Sequence, residues 1–262
     1  MKYKKTFLSS FLIFALFFNV QAQINANNKV PLQEIKIGGL GKYDYKSNVW
    51  YKRNPYKALI APAILIGLGT ALINNPVYDK NDFHTDLFHV FPNFPGTRID
   101  NYLIYSPYVE LVVFNLAQIP CENDFINTSL LIVKSEILAM GLTFGLKTLT
   151  KIERPNKEDK LSWPSGHTSQ AFVAATLVNR EYRSTHKWIG ISAYGLATSV
   201  AIFRMLNNKH WLSDVVAGAG IGILSANVAY ITHQWRWGRP GTCFVPTFDS
   251  KGRPGVYFTC RF

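Results

Sequence analysis

The sequence predicts an all-α fold, a bundle of about six core helices followed by a short C-terminal β-hairpin. Six long apolar segments carry the helical part of this prediction, near residues 58–78, 101–119, 127–150, 167–182, 188–204 and 212–235. Their lengths fit helices better than strands. The polar stretch 79–100, rich in Asp, Phe, Pro and His, is expected to be a loop. The tail alternates on both sides of the turn-forming stretch DSKGRPG, as the strands of a hairpin do.

The N-terminus has the pattern of a secretory signal peptide. A basic start precedes an apolar run, and the small residues Val20 and Ala22 suit cleavage after Ala22. The alternative is a first membrane helix that stays attached. We therefore expect an exported, periplasmic protein, with possible membrane association. Its expected regions are a signal peptide (1–22), an irregular leader (23–56), a helical core (57–237) and a hairpin tail (238–262).

Hydropathy leaves the relation to a membrane open. Hydrophobic residues make up 48% of the chain and charged residues 17%. The uncharged runs at 58–78 and 215–232 are long enough to be candidate spans. Lys134, Glu136 and Glu110 interrupt two other segments, and charges within a span are costly in lipid. We therefore favour a bundle that does not cross the membrane over an embedded one. We expect no nucleic-acid partner, and the oligomeric state stays open.

The chain has three cysteines, Cys121, Cys243 and Cys260. A hairpin centred between Lys251 and Gly252 would place Cys243 opposite Cys260, and opposed positions are close enough for a disulfide. Export to an oxidising compartment would permit the bond. The pattern therefore predicts a Cys243–Cys260 disulfide with Cys121 outside it, and the alternative is three reduced thiols.

Three short stretches carry the residues suited to catalysis. The first is KTLTKIERP, with Lys147 and Arg154 seven apart, and the second is PSGH, at positions 164–167. In the third, Arg204 precedes His210 by six residues and Asp214 follows it by four. Taken singly, each has an ordinary explanation: a solvated helix end, a helix cap, or a hydrogen bond along one helical face.

Together these stretches predict a site for a tetrahedral oxyanion. The paired N–H donors of Arg guanidinium groups and the ammonium charge of Lys suit phosphate oxygens, and a helix N-terminus adds amide donors. Asp214 would hold one ring nitrogen of His210 and leave the other as a nucleophile. His167, near the start of its own helix, is placed to protonate the leaving oxygen. No carboxylate cluster suits two divalent ions, so we expect no metal and no cofactor.

The three stretches resemble, in order and spacing, the signature of the type 2 phosphatidic acid phosphatase / vanadium haloperoxidase superfamily: K-x6-R-P, then P-S-G-H, then S-R-x5-H-x3-D. One position departs, because Phe203 stands where the signature has a Ser that contacts phosphate. The motifs cover residues 147–214, and the segments around them resemble the helical core of that superfamily. One phosphate donor is therefore expected to be missing or replaced.

The resemblance implies a role for each matching residue. Five residues would bind phosphate: Lys147, Arg154, Arg204, Ser165 and the amide of Gly166. His167 would be the general acid and later the base that activates water. His210 would form a phosphohistidine, and Asp214 would orient it. The resemblance also implies hydrolysis without a metal ion.

The expected activity is that of a metal-independent phosphatase acting on a phosphomonoester or diphosphate, most favourably of a lipid. A phosphatase for soluble phosphoesters is the nearest alternative. A vanadate-dependent haloperoxidase and a non-catalytic lipid-binding relative are weaker ones, since the chain is short for the first and keeps every catalytic residue that the second would lose. The stretch HTDLFH, with His84, Asp86 and His89, was considered as a metal site, but its flanking Phe and Pro residues favour an ordinary packed loop.

Overall fold

Eight helices and one two-stranded hairpin make up the part of the chain that the computed structural model describes, which is residues 56–74, 80–117, 119, 121–123, 125–233, 242–248 and 254–260. The helices are α1 (Lys57–Ala71), α2 (Lys80–Val90), α3 (Ile99–Leu103), α4 (Ser106–Leu116), α5 (Phe125–Thr150), α6 (Gly166–Tyr182), α7 (Lys187–Leu206) and α8 (Leu212–Ile231). The strands are β1 (Thr242–Phe248) and β2 (Pro254–Cys260). The predicted signal peptide and leader lie outside the described residues.

The all-α prediction is confirmed, with two differences in the first half of the chain. The segment predicted at 101–119 is divided between α3 and α4. The stretch 79–100, expected to be a loop, contains α2. On this helix Phe83 and Leu87 lie four residues apart and pack against Met205 and Val215. An apolar pair at helical spacing therefore overrides the polar composition that argued for a loop.

Helix α8 packs against α1 on one side and α6 on the other, and its glycines permit both contacts. A Cβ atom at Gly220 would lie 2.8 Å from the carbonyl oxygen of Pro62 in α1. A Cβ atom at Gly222 would lie 2.3 Å from the carbonyl oxygen of Ser169 in α6. At Gly218 it would lie 2.6 Å from the carbonyl oxygen of Ser165. These approaches are closer than any side chain allows, so the glycines set the distance between the three helices.

Helix α1 runs antiparallel to α8. Gly69, near the end of α1, lies against Ala217, near the start of α8. At the opposite end, the side chain of Asn227 donates a hydrogen bond to the carbonyl oxygen of Ala58 at 2.7 Å. Residue 57 therefore lies at the same end of the bundle as the C-terminus of α8.

The other end of the bundle gathers the boundaries of four helices. The amide of Ser165, just before α6, donates to the carbonyl oxygen of Asp214 in α8 at 2.9 Å. The indole Nε1 of Trp211, just before α8, donates to the carbonyl oxygen of Glu153, which follows α5, at 2.9 Å. The end of α5, the start of α6 and the start of α8 therefore meet. Helix α7 joins them because its C-terminus leads into Trp211 within five residues.

A buried polar network lies at the end of the bundle away from these boundaries. The carboxylate of Glu181 accepts from the amide and the side chain of Asn123, both at 2.8 Å, and from the hydroxyl of Tyr230. Next to it, Arg180 Nη2 donates to Asn227 Oδ1 at 2.6 Å. The network thus satisfies charges that are buried among helices α6 and α8.

Three of the described helices, α5, α7 and α8, are long and apolar enough to cross a membrane by length and composition. Helix α5 is the least enclosed, since Ile126, Ile137 and Phe144 are 56%, 65% and 68% exposed. Glu136, whose charge argued against a span, receives hydrogen bonds from the hydroxyl of Tyr108 and from Gln170 Nε2. Its carboxyl group is therefore hydrogen-bonded to neutral donors within the bundle.

The C-terminal hairpin forms, but its register differs from the predicted one by a residue. Cys243 lies opposite Thr259, and Cys260 lies opposite Thr242. The prediction that Cys243 and Cys260 oppose one another is therefore wrong, since a shift of one residue exchanges the faces of a strand. Cys121 is a thiol outside any disulfide, as predicted, and its Sγ donates to the carbonyl oxygen of Asn123 at 3.0 Å.

Candidate active site

His210 and Asp214 form a buried pair at the start of α8. His210 Nδ1 lies 3.2 Å from Asp214 Oδ2, and the two side chains are 2% and 0% exposed. The four-residue spacing produces this contact by bringing the loop residue His210 back over the first turn of the helix. A carboxylate at Nδ1 fixes the proton there and leaves Nε2 with its lone pair. The pair therefore has the form of an oriented nucleophile.

Asp214 is itself held by three other donors. Its Oδ2 accepts from the hydroxyl of Ser162 and from the amide of Trp211 at 2.9 Å, and its Oδ1 accepts from Ser213 Oγ at 3.2 Å. It is the third residue of α8, where the positive end of the helix dipole favours an anion. Sequence reasoning missed Ser162, because nothing in a lone Ser indicates a partner 52 residues away.

Ser165 caps helix α6 and brings its first turn to the site. The backbone of Ser165 is extended (φ −72°, ψ 116°), and its Oγ accepts from the amide of Thr168 at 3.5 Å. The amides of Gly166 and His167 lie in the first turn, where helical geometry offers no intrahelical acceptor. Gly218 allows α8 to lie directly against this turn. The arrangement is that of an anion-binding helix start.

Two of the three predicted cations are fixed by contacts with the loop that joins α5 to α6. Lys147 Nζ donates to the carbonyl oxygens of Leu161 and, at 3.1 Å, of Ser162. Arg154 Nε forms a 2.7 Å ion pair with Asp159 Oδ1. Lys147 and Arg154 thereby fasten the loop that joins α5 to α6.

Arg204, at the end of α7, forms a buried ion pair. Its Nη1 lies 2.7 Å from Asp100 Oδ2, and Asp100 is 1% exposed. Within the described part of the chain, Arg204 Nε is buried and has no hydrogen-bond partner. A guanidinium with a buried donor left over can bind an oxyanion oxygen with it. Asp100 was not predicted, since it lies 104 residues from Arg204 in the sequence.

The cations act on both histidines. Burial lowers the pKa of His210 well below its ordinary value, and Arg204, Lys147 and Arg154 lower it further. Burial, followed by Arg204 and by His210 itself, likewise lowers the pKa of His167. Both rings are therefore neutral at pH 7 in the empty site, as a nucleophilic His210 requires.

His167 contacts a residue that the sequence did not single out. Its Nε2 lies 2.9 Å from Asn101 Oδ1 on α3. The residue that replaces the signature Ser, Phe203, points to the same part of the chain, since its ring lies 6.2 Å from the ring of Phe94. The segment 94–101 therefore borders the predicted site.

An open cavity of about 370 Å³ is lined by His84, Thr85, Phe88, His89 and Asn208, the last of which lies two residues before His210. His84 makes an edge contact with the ring of Trp211, with ring centroids 5.3 Å apart. The stretch considered for metal binding thus forms one wall of this cavity. Across the described residues, no three His, Cys, Asp or Glu side chains are arranged to hold a metal ion.

All eight residues predicted for the site lie at one end of the bundle, where four helix boundaries meet: Lys147, Arg154, Ser165, Gly166, His167, Arg204, His210 and Asp214. The structure adds Ser162, Asp100 and Asn101 to them. Three cations and a helix start beside one oriented histidine form an arrangement that can bind a tetrahedral anion and attack it.

Comparison with known proteins agrees with this arrangement. Residues 129–238 match the family model of the PAP2 superfamily. The lipid A 1-phosphatase of Porphyromonas gingivalis is 40% identical over 100 residues, which are 37% of this chain and 22% of that relative. The match thus spans about a fifth of the length of this curated relative.

Two solved structures are similar at low identity. LpxE from Aquifex aeolicus is 22% identical with a TM-score of 0.43, over 56% of this chain and 93% of that one. A transmembrane PAP2-type phosphatidylglycerolphosphate phosphatase from Bacillus subtilis is 21% identical with a TM-score of 0.41, over 69% of this chain and 94% of that one. The family match agrees with the resemblance stated from the three motifs, because the matched residues 129–238 carry every predicted site residue.

Proposed function

We propose that this chain is a metal-independent phosphatase that hydrolyses a phosphomonoester or diphosphate of a lipid through a phosphohistidine intermediate. The observation that carries the proposal is the buried His210–Asp214 pair, with its 3.2 Å contact, beside three cations and the start of α6. A neutral imidazole held by a carboxylate, next to donors for an oxyanion, suits attack on phosphorus.

In the first half of the proposed reaction, His210 Nε2 attacks phosphorus while Asp214 holds Nδ1–H. The new P–N bond forms as the bond from phosphorus to the leaving oxygen breaks. Protonated His167 gives its proton to that oxygen, so the leaving group departs as a neutral alcohol or a protonated phosphate. A bound phosphate dianion favours the protonated ring of His167, because it opposes the cations that lower its pKa in the empty site.

In the second half, His167 acts in the reverse sense. Its neutral ring takes a proton from a water molecule whose oxygen attacks phosphorus. The P–N bond breaks, inorganic phosphate is released, and His210 returns to its neutral form. The lone buried donor Nε of Arg204 and the amides at the start of α6 would stabilise the phosphoryl oxygens in both halves.

A lipid substrate is supported by the apolar surface around the bundle and by the name of the curated relative. Exposed apolar side chains on α1 and α5, such as Ile60, Ile64 and Ile137, provide a surface suited to acyl chains. We also propose that the protein is exported and held at a membrane by these faces, with its site outside the cytoplasm. The N-terminal signal-peptide pattern supports export.

The proposal is tested by phosphate release from a panel of phosphatidate, a prenyl diphosphate, lipid A and an aryl phosphate, using the purified full-length chain in detergent with EDTA throughout. We expect turnover with at least one lipid substrate and none with His210→Ala, because no other group at the site is placed as a nucleophile. His186→Ala, which alters an exposed histidine, is the matched control. Substantial activity in His210→Ala would contradict the phosphohistidine, and activity that appears only on adding Mg²⁺ would contradict the metal-free reaction.

A further inference from the structure

The strongest feature that the mechanism above leaves unused is the segment 94–101. We propose that Asn101 and Asp100, on the short helix α3, are positioning residues of this site: Asn101 orients the acid–base His167, and Asp100 orients the phosphate-binding Arg204. This inference rests on the proposed function, and it assigns a role to a segment that lies outside the three motifs and outside the matched region 129–238.

Four contacts hold this segment on the end of α7. The rings of Phe94 and Phe203 pack 6.2 Å apart. The amide of Thr97 donates to Asn207 Oδ1 at 2.8 Å, and Asn207 Nδ2 donates to Asp100 Oδ1 at 3.1 Å. The Asp100–Arg204 ion pair is the fourth contact. The contacts converge on Phe203, Arg204 and Asn207, one turn of helix.

These contacts give Phe203 a function different from that of the Ser in the signature. A Ser at this position would offer a hydroxyl to phosphate, whereas Phe203 packs against Phe94 and anchors the segment. The next residue, Arg204, then meets Asp100. Phe203 in place of the signature Ser therefore removes one hydrogen-bond donor from the site. In its place, the contact with Phe94 holds Asp100 and Asn101 beside the site.

Asp100 orients Arg204 because it occupies one edge of the guanidinium. The carboxylate is 1% exposed and takes hydrogen bonds from Arg204 and Asn207, so its position is fixed. A buried Arg with a partner at Nη1 cannot rotate without breaking an ion pair inside the protein. Its Nε, which lacks a partner among the described residues, is thereby kept in one direction.

Asn101 orients His167 as Asp214 orients His210, but with a neutral group. An amide oxygen at 2.9 Å accepts a hydrogen bond from Nε2–H, which leaves Nδ1 as the basic nitrogen of the neutral ring. A carboxylate strongly favours the protonated imidazole, whereas an amide oxygen favours it weakly. The anionic partner suits a nucleophile that gains a positive charge, and the neutral partner suits an acid that must release its proton and take it back.

The charged groups around His167 determine the direction in which its pKa should change in the Asn101 variants. Arg204, His210, Arg154 and Lys147 all act to lower its pKa, and Asn101 adds no charge. In Asn101→Asp a carboxylate faces Nε2 in place of the amide, so the pKa of His167 should rise. Asn101→Leu keeps the size of the side chain and removes the acceptor. Ser184→Asp adds the same charge at an exposed position after α6 and is the matched control.

The first measurement is NMR of histidine-labelled full-length protein in detergent, which reports the tautomer and pKa of His167 without any turnover. We expect a proton on Nε2 in the wild type, a pKa higher by about one unit or more in Asn101→Asp, and no change in Ser184→Asp. A wild-type ring protonated on Nδ1, or an unchanged pKa in Asn101→Asp, would overturn the role of Asn101, whatever the activity of the protein.

The second measurement is kinetic and separates positioning from folding. Asn101→Leu should lower kcat by about 10-fold or more for an alkyl monoester and less for an aryl phosphate, whose leaving group needs little protonation. Asp100→Asn should raise KM and weaken inhibition by vanadate, because Arg204 loses its orientation. Equal losses on both substrates in Asn101→Leu, or wild-type KM in a folded Asp100→Asn, would contradict the proposal. An inactive wild type would instead contradict the proposed function, and the NMR result would stand on its own.

Discussion

Each of the two histidines at the site donates a hydrogen bond from one ring nitrogen, yet the two acceptors differ in charge. Asp214 is an anion that three other donors hold, and Asn101 is a neutral amide on the rim. His210 is nearly enclosed, whereas His167 is only partly covered. The consequences of burial for stability are therefore clearest at His210.

The buried His210 should make the protein sensitive to acid. Its folded pKa lies well below 6.5, because burial and then Arg204 disfavour the charged ring. The unfolded chain therefore binds a proton at His210 that the folded chain does not, at pH values between the two. The contribution of the neutral His210 ring to the free energy of unfolding is fully present above pH 6.5. It is lost as the pH drops through this window, by up to about 1.4 kcal/mol per pH unit.

The measurement is chemical or thermal unfolding of the wild type and His210→Asn in detergent from pH 7.5 to 5. The variant should lose less stability on acidification, while His186→Asn should behave as the wild type. Burial raises the pKa of Glu181 to about 7, which works in the opposite direction, but this contribution is common to all three proteins and cancels in the comparison. Parallel curves for His210→Asn and the wild type would show that His210 does not titrate as inferred.

The sequence predicted the residues whose types are rare and regularly spaced. Lys147, Arg154, His167, His210 and Asp214 could be singled out because catalysis on phosphate needs those types. Ser162, Asp100 and Asn101 could not, since each belongs to a residue type that is common throughout proteins and its partner lies 52, 104 or 66 positions away. Long-range contacts of this kind depend on how the helices pack, which no local pattern contains.

At the scale of the elements, the glycines of α8 determine how closely α6 and α8 approach. A methyl group at Gly218 would lie 2.6 Å from the carbonyl oxygen of Ser165 and 3.2 Å from Thr168 Cβ. Because Ser165 and Asp214 are hydrogen-bonded across the same contact, any separation of the helices also opens the site.

Gly218→Ala should therefore lower stability by about 1–3 kcal/mol, the usual effect of overpacking, and lower kcat/KM in the same protein. Gly141→Ala on α5 is the matched control, since a methyl group there meets nothing within 4 Å. The control should raise stability by up to about 1 kcal/mol through helix propensity and leave kcat/KM unchanged. The prediction is checked by measuring unfolding and phosphate release on both variants. A Gly218→Ala protein as stable and active as the wild type would contradict the close packing of α6 and α8.

The helices and strands also show where prediction from sequence patterns fails. The long apolar helices were predictable because their composition is continuous, and their bounds differ by a few residues from those expected. Helix α2 was missed because, among its described side chains, the apolar residues that pack against the core cluster are Phe83 and Leu87, a pair too short to stand out among polar neighbours. The hairpin register was wrong by one residue, since the turn sequence does not say which residues close the loop.

At the scale of the whole molecule, the direction of α1 separates its N-terminus from the site. Residue 57 begins α1 at the end of the bundle opposite the catalytic loops. If the bundle crossed a membrane, the two ends would face different compartments, and an exported leader would place the site inside. An exported leader and an external site are therefore compatible only with a bundle that rests in one face of the membrane. Helices α1 and α4, with 15 and 11 residues, reach about 22 and 17 Å and fall short of a 30 Å hydrocarbon core.

Cysteine labelling on intact cells tests this arrangement. In a variant without Cys121, Cys243 and Cys260, single cysteines are placed at exposed Lys160, beside the site, and at exposed Ser184, at the other end. We expect an outside reagent that does not cross membranes to label both. Labelling of only one position would show a bundle that crosses the membrane, and labelling of neither would show a protein that is not exported.

The saturated carboxylate of Asp214 has a consequence for inhibitors. Its oxygens already accept from His210, Ser162, Trp211 and Ser213, so it has little to offer a cationic drug group. Under the proposed function, a compound aimed at the site must carry an anion, which other enzymes that bind phosphate would also accept. Selectivity must come instead from the 370 Å³ cavity beside Trp211, most of whose lining, from His84 to His89, lies outside the three motifs. An inhibitor for this site would therefore join an anionic group to a flat ring that packs in this cavity against the exposed edges of His84 and Phe88, whose own rings lie 4.7 Å apart.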